Sequence, residues 1–214
     1  MNLLKKYLKL KQSIVESTDH PMINHNGKMV HRNNSEGQPI HHTEEGIKAF
    51  HDWSEGAEMK DDHGRPKVMY HGTSSDKDYA DFKVPKNGAW FTDSKKGASD
   101  YAKENDSQDL KYDPDTRKFN SINTASRVVP VYIKSKNTHA ITDDDNKKIN
   151  VENYKRAQGQ VFADMKTKGI DMVNHGHGVV SVIGDSNQIK SAMGNRGTFS
   201  QKSKKMNEQE NIDE

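Results

Sequence analysis

The chain has 214 residues, 30% of them hydrophobic, and a mean hydropathy of -1.09, so it allows one domain with appendages and cannot all be core. Lys+Arg 33 against Asp+Glu 31, interleaved along the sequence, leave a net charge of +2, which gives little support for non-specific nucleic-acid binding through a concentrated basic face. Cysteine is absent, which excludes a disulfide framework and a thiol nucleophile, and no run approaches the roughly 18 apolar residues of a membrane span. The N-terminal apolar residues are interrupted by lysines, unlike a secretory signal.

Leu3, Leu4, Tyr7, Leu8, Ile14 and Val15 recur at helical spacing, so residues 1–18 read as an amphipathic helix packed on the domain, with a partner-docking or membrane-surface helix as the alternative. Residues 19–65 read as an irregular arm and a docking helix. The arm holds His20, His25, His31, His41 and His42 at irregular intervals, so no metal site is assigned there, and Asn26-Gly27 signals a small hairpin. Thr43 is a predicted N-cap for a helix running towards Gly56. Ile47, Phe50 and Trp53 share one face of it, and aromatics in so polar a chain imply that the helix docks on the domain C-terminal to it.

The main domain is expected over 66–200. Val68-Met69-Tyr70 reads as a strand entering His71-Gly72-Thr73, and Ala89-Trp90-Phe91 as a second strand, followed by a helix carrying Ala98 and Tyr101. Polar groups at strand ends beside a glycine suit a small-molecule site, because glycine lets a ligand reach the backbone. Lys103–Arg127 reads as a loop or weak hairpin, and Val128–Ile133 as a strand whose Pro130 argues for an edge or a bulge. A helix is expected over Asn146–Lys168, broken or capped at Gly159. Two strands flank His175-Gly176-His177-Gly178, which reads as a surface turn, and binding to the adenine or phosphate side of a nucleotide is the lesser alternative for its histidines. A last short strand begins at Gln188, and residues 201–214 are polar enough to be expected disordered. Five to seven short strands with few helices fit neither a doubly wound sheet nor a bundle. The glycine-rich fingerprints of dinucleotide and P-loop sites are missing.

The ordered series Tyr70-His71-Gly72-Thr73, Gly88-Ala89-Trp90-Phe91-Thr92, Ala98-x-x-Tyr101-Ala102, Val129-x-Val131-Tyr132, Asn187-Gln188-Ile189-Lys190-Ser191-Ala192 and Gly194-Asn195-Arg196-Gly197 resembles an ADP-ribosyltransferase domain. It is most similar to the domain of phage polyvalent proteins and phage-derived toxins, within the diphtheria-toxin and poly(ADP-ribose) polymerase-like branch. The resemblance covers roughly residues 40–200. It implies an α+β fold, an ADP-ribosyltransferase-like split antiparallel β-fold with N-terminal helices. It also implies NAD as co-substrate with no metal, and an enzyme (a glycosyltransferase in the broad sense).

By the same resemblance, His71 would hydrogen-bond the nicotinamide-side ribose, the Gly72 backbone would grip the carboxamide, and Thr73 would help seat the ribose. Trp90 takes the place of the motif tyrosine, and Tyr101 matches the aromatic that stacks on nicotinamide. Ala98 stands where a serine is common, so a carboxamide hydrogen bond is either missing or supplied by Ser94 or Ser99. Arg196 would approach the pyrophosphate or the acceptor, or play a structural part. Gln188 matches the position at which many relatives carry the catalytic glutamate; it is neutral and no base, and Asp185 is the nearest alternative source of charge. The implied function is transfer of ADP-ribose to a host macromolecule, protein before nucleic acid, by a phage or phage-derived effector acting in the host cytoplasm after delivery with phage particles. NAD hydrolysis and a catalytically inactive partner-binding module are the alternatives.

Overall fold

The computed structural model describes residues 21–74, 82–106, 110–121, 126–149, 152–193 and 199–206. The expected helix over 1–18, Arg196 and residues 207–214 lie outside them. In chain order the elements are β1 (Met22–His25), β2 (Lys28–His31), α1 (Glu44–Trp53), β3 (Met69–Thr73), β4 (Ala89–Thr92), α2 (Lys95–Asp106), β5 (Leu110–Asp113) and β6 (Lys118–Ser121). After these come β7 (Arg127–Ile133), β8 (Thr138–Ala140), α3 (Asp143–Ile149), α4 (Tyr154–Thr167), β9 (Met172–Gly176), β10 (Val179–Val182) and β11 (Ile189–Ser191). Seven strands form one sheet in the order β11-β7-β3-β4-β10-β9-β8, antiparallel throughout except for the parallel pair β8 and β9. With its helices this is the expected α+β architecture.

Alternation along the strands sorts side chains onto two faces. Met69, Phe91, Val131, Ile133, Val180 and Val182 form one buried face, closed among the described residues by Phe82 and Met206 rather than by a helix. Tyr70 and Tyr132 stand on the other face among Ile47, Phe50 and Trp53 of α1 and Ala98 of α2. Further along that face α4 packs Phe162 and Met165 against Val173 and Ile183. Burying such a side chain is worth about 1.5–3 kcal/mol, so α1 is held mainly by Ile47, Phe50 and Trp53. Its start is fixed as the sequence predicts, with the Gly46 N–H donating to Thr43 Oγ1 at 3.0 Å. The Trp53 indole N–H then donates to the Asn187 carbonyl at 3.1 Å, tying the helix to the approach of β11.

The Asn26-Gly27 hairpin is present, with φ of 52° and 77° at its two turn residues, the left-handed pair that a two-residue turn needs. The excursion between α2 and β7 contains the β5–β6 hairpin.

Several expectations are corrected. Pro130 lies in β7, which is interior rather than an edge; the β11 ladder ends at Ser191 opposite Val131, so the missing proline N–H falls beyond it. The expected helix over 146–168 is two helices, and Gly159 lies within α4 rather than ending it. His175 belongs to β9, and only His177 and Gly178, at φ 50° and 74°, form the turn. The polar tail does not begin at 201. Met206 is 1% exposed in the core, and the buried Lys190 donates its Nζ to the carbonyls of Ser203 and Lys205 at 3.0 and 2.9 Å. One apolar residue and a lysine able to satisfy two carbonyls are enough to order this stretch.

Candidate active site

The site begins where β3 and β4 part. Their ladder consists of the single pair Tyr70 and Thr92, while β3 goes on pairing with β7 as far as Thr73. Among the described residues β3 makes no further pair with β4 beyond Tyr70, and Gly72 borders open space there. Helix α2 presses directly on this place. A Cβ on Gly72 would fall 2.9 Å from the Ala98 carbonyl carbon, and nearer still to its oxygen, so only glycine allows the approach.

The gap between α2 and α4 is a cleft of about 750 Å³ over the sheet, within the usual range for a small-molecule site. Tyr70, Gly72, Trp90 and Thr92 form its floor. The α2 wall brings Gly97, Ala98 and Tyr101, and the α4 wall brings Tyr154, Lys155 and Gln158. Tyr101 and Tyr154 are 57% and 54% exposed, two large aromatics at the surface of one cleft. The Tyr70 hydroxyl donates to Glu36, and burial followed by that carboxylate raises its pKa to about 12, so it stays protonated.

Trp90 is fixed from three directions. Its indole N–H donates to the Asn87 carbonyl at 3.3 Å, and its own carbonyl accepts from His71 Nδ1 at 2.8 Å. Its ring stacks on His175, with centroids 4.2 Å apart and planes 23° from parallel. His175 is held in turn by a 2.9 Å hydrogen bond between Nε2 and Ser181 Oγ, and burial pushes its pKa down to about 4.

His71 stands on the opposite face from Trp90, against Phe82 and Phe91 at 5.2 and 5.4 Å between ring centroids. Burial pulls its pKa below the ordinary histidine value, outweighing the opposite effect of the bond to the Trp90 carbonyl. It is therefore neutral at pH 7. The Nδ1–H donated to that carbonyl leaves Nε2 as the acceptor nitrogen.

The structure thus brings Gly72, Trp90 and Tyr101 together in the cleft and ties His71 to them through the Trp90 backbone. Thr73 and Ser99 are half-buried neighbours of lining residues rather than part of the lining. Ser94 caps the start of α2, accepting from the Gly97 N–H at 3.0 Å.

Gln188 is the main correction. It ends a 3-10 turn (Ser186–Gln188) at the head of β11, which β7 and β3 separate from β4. At about 4.8 Å per strand that is roughly 14 Å across the sheet. Both ends of its amide are spent on backbone: Oε1 accepts from the Asp185 N–H at 2.7 Å, and Nε2 donates to the Lys134 carbonyl at 2.9 Å. It borders a separate depression with Lys134, Lys166 and Asp185, so neither Gln188 nor Asp185 reaches the cleft. The strand actually beside β4 is β10, whose Val179 lines the cleft and pairs with Thr92.

The sequence reading missed Gln158, Lys155 and Tyr154, and it read His175 as a surface turn, with nucleotide binding the lesser alternative, rather than as the partner of Trp90. Gln158 carried a signal: it lies four and seven residues before Phe162 and Met165, so it falls on the buried stripe of α4.

Residues 61–199 match the family model described as ADP-ribosyltransferase in polyvalent proteins. No curated protein and no solved structure matches the chain. The match spans well over half of the 214 residues and takes in both walls of the cleft. The chain belongs to the ADP-ribosyltransferase family found in polyvalent proteins.

Proposed function

We propose that the protein takes ADP-ribose from NAD in the cleft between α2 and α4 and transfers it to a macromolecule of the host, protein in the first place, as a phage or phage-derived effector in the host cytoplasm. The observation that carries this reading is the convergence of Gly72, Trp90 and Tyr101 on one cleft where the β3–β4 ladder ends. The nicotinamide ring fits between Trp90 and Tyr101.

In the reaction the bond from ribose C1' to the nicotinamide nitrogen breaks. Nicotinamide leaves neutral with the bonding pair, and an acceptor atom bonds to C1'. The leaving group is good, so holding and desolvating the dinucleotide supplies much of the rate. Neutral His71, on the far face of the sheet, keeps Trp90 in place through its carbonyl. Among the described lining residues of the cleft there is no carboxylate, so with Gln188 engaged elsewhere an acceptor that is already an anion is favoured over one that must lose a proton.

The test is incubation with NAD and cell lysate, followed by mass spectrometry for ADP-ribose on protein, beside His71→Ala. Labelled protein from the wild type and none from the variant supports the reading. Free ADP-ribose alone, at a rate indifferent to lysate, selects hydrolysis. NAD binding without nicotinamide release selects the inactive module.

A further inference from the structure

One polar group in the cleft has no part in holding the fold. Gln158 is 7% exposed and lines the cleft, yet its side-chain amide makes no hydrogen bond among the described residues. Its amide nitrogen and oxygen stay open to the cleft, so they are available to a ligand bound there. Its position is set by the helix: it shares the buried stripe of α4 with Phe162 and Met165, while Lys155 and Tyr154, one turn earlier, stand exposed at the mouth. The cleft is therefore graded, with a neutral amide inside and a cation outside. Across from Gln158 the α2 wall presents Gly97 and Ala98, which have no side-chain donor or acceptor.

We propose that Gln158 binds the carboxamide of the nicotinamide ring, its Oε1 accepting from the carboxamide NH2 and its Nε2–H donating to the carboxamide oxygen. This rests on the cleft being the NAD site. A primary amide matches a glutamine amide reciprocally; the N6 and N7 edge of adenine does so too, and ADP-ribose, which keeps the adenine and lacks the carboxamide, separates the two. A ring carrying that amide suits Trp90 on the floor and Tyr101 on the wall, and the dinucleotide's phosphates then run outward towards Lys155. A phosphate at Gln158 itself would be a buried anion facing a neutral partner.

The experiment titrates three ligands into wild type and Gln158→Met: NAD, its 3-acetylpyridine analogue, in which a methyl ketone replaces the amide and removes the N–H donors, and ADP-ribose. Unfolding midpoints are measured alongside. Wild type should prefer NAD over the analogue about tenfold, and the variant should lose most of that preference. ADP-ribose affinity should be the same in both, and the midpoint should be nearly unchanged, because the amide makes no hydrogen bond among the described residues. If the methionine variant does not fold, Gln158→Asn, which withdraws the amide by one methylene, carries the same expectation. A variant that keeps the full preference overturns the inference, as does one that loses ADP-ribose and NAD affinity together, which would place Gln158 on the adenine or phosphates. Wild type that binds neither NAD nor ADP-ribose refutes the reading of the cleft itself.

Discussion

Gly72→Ala tests the join between β3 and α2 from which the cleft is built. The new Cβ would lie 2.9 Å from the Ala98 carbonyl carbon and 3.3 Å from the Ala102 nitrogen, against about 3.4 Å for ordinary contact. These are backbone atoms, so no side chain can swing aside, and α2 has to retreat by about half an ångström or more. Overpacking of this kind costs about 1–3 kcal/mol. In a chain of this size that lowers Tm by a few to about ten degrees. The same shift carries Tyr101 away from Trp90, so NAD affinity should fall more than the loss of stability explains. Gly97→Ala is the control on the same helix. Its Cβ meets only side-chain atoms, of Ser94 at 3.4 Å and Thr92 at 3.9 Å, and alanine is the better helix former, so stability should hold or rise by about 0.5 kcal/mol. Urea unfolding and calorimetric NAD titration measure both effects. A Gly72→Ala protein with an unchanged midpoint and unchanged NAD affinity would refute the close approach.

Gln188→Ala removes one partner from each of two backbone groups and should destabilise by about 2 kcal/mol in urea, with NAD affinity per folded molecule unchanged. A fall in affinity at constant stability would return Gln188 to the site. Stability should also depend on acid pH through His175, whose pKa is about 4 when folded against roughly 6.5 when unfolded. Between those values the unfolded chain binds more protons, so stability drops as pH falls from about 6.5 to 4 and is flat above. His175→Gln should flatten that slope, and an unaltered slope would count against the buried neutral ring. Ending the chain after Ser200 removes Met206 from the core and two carbonyl acceptors from Lys190. A loss of about 2–5 kcal/mol is expected, and no loss would mean that the segment adds nothing to the fold.

Much of the fold was legible because local signals and burial agree. Asn26-Gly27 can adopt the positive φ its turn requires, and the stripe of Ile47, Phe50 and Trp53 matches the face that α1 buries. Gly72, Trp90 and Tyr101 were legible as a set because each sits at a regular place on a strand or helix. Gln188 misled because a residue just ahead of a strand reads the same whether it faces a ligand or caps a turn; two backbone bonds decided it, and neither is visible in sequence. His175 was hidden by its neighbours, since His-Gly-His-Gly reads as turn throughout, whereas its first residue is strand and supports Trp90. Gln158 looked like any polar residue of a wet helix until its place on the buried stripe was counted. Met206 was lost in a polar tail because one methionine leaves no periodic pattern.

The most direct test of the NAD cleft is a calorimetric titration of NAD into wild type and Tyr101→Ala. Tyr101 is 57% exposed, so truncating it should leave the unfolding midpoint nearly unchanged and isolate its effect on the ligand. Losing one stacking face is worth about 1 kcal/mol, so the account predicts roughly fivefold to tenfold weaker NAD binding at unchanged stability. Equal NAD affinity in the two proteins would contradict it.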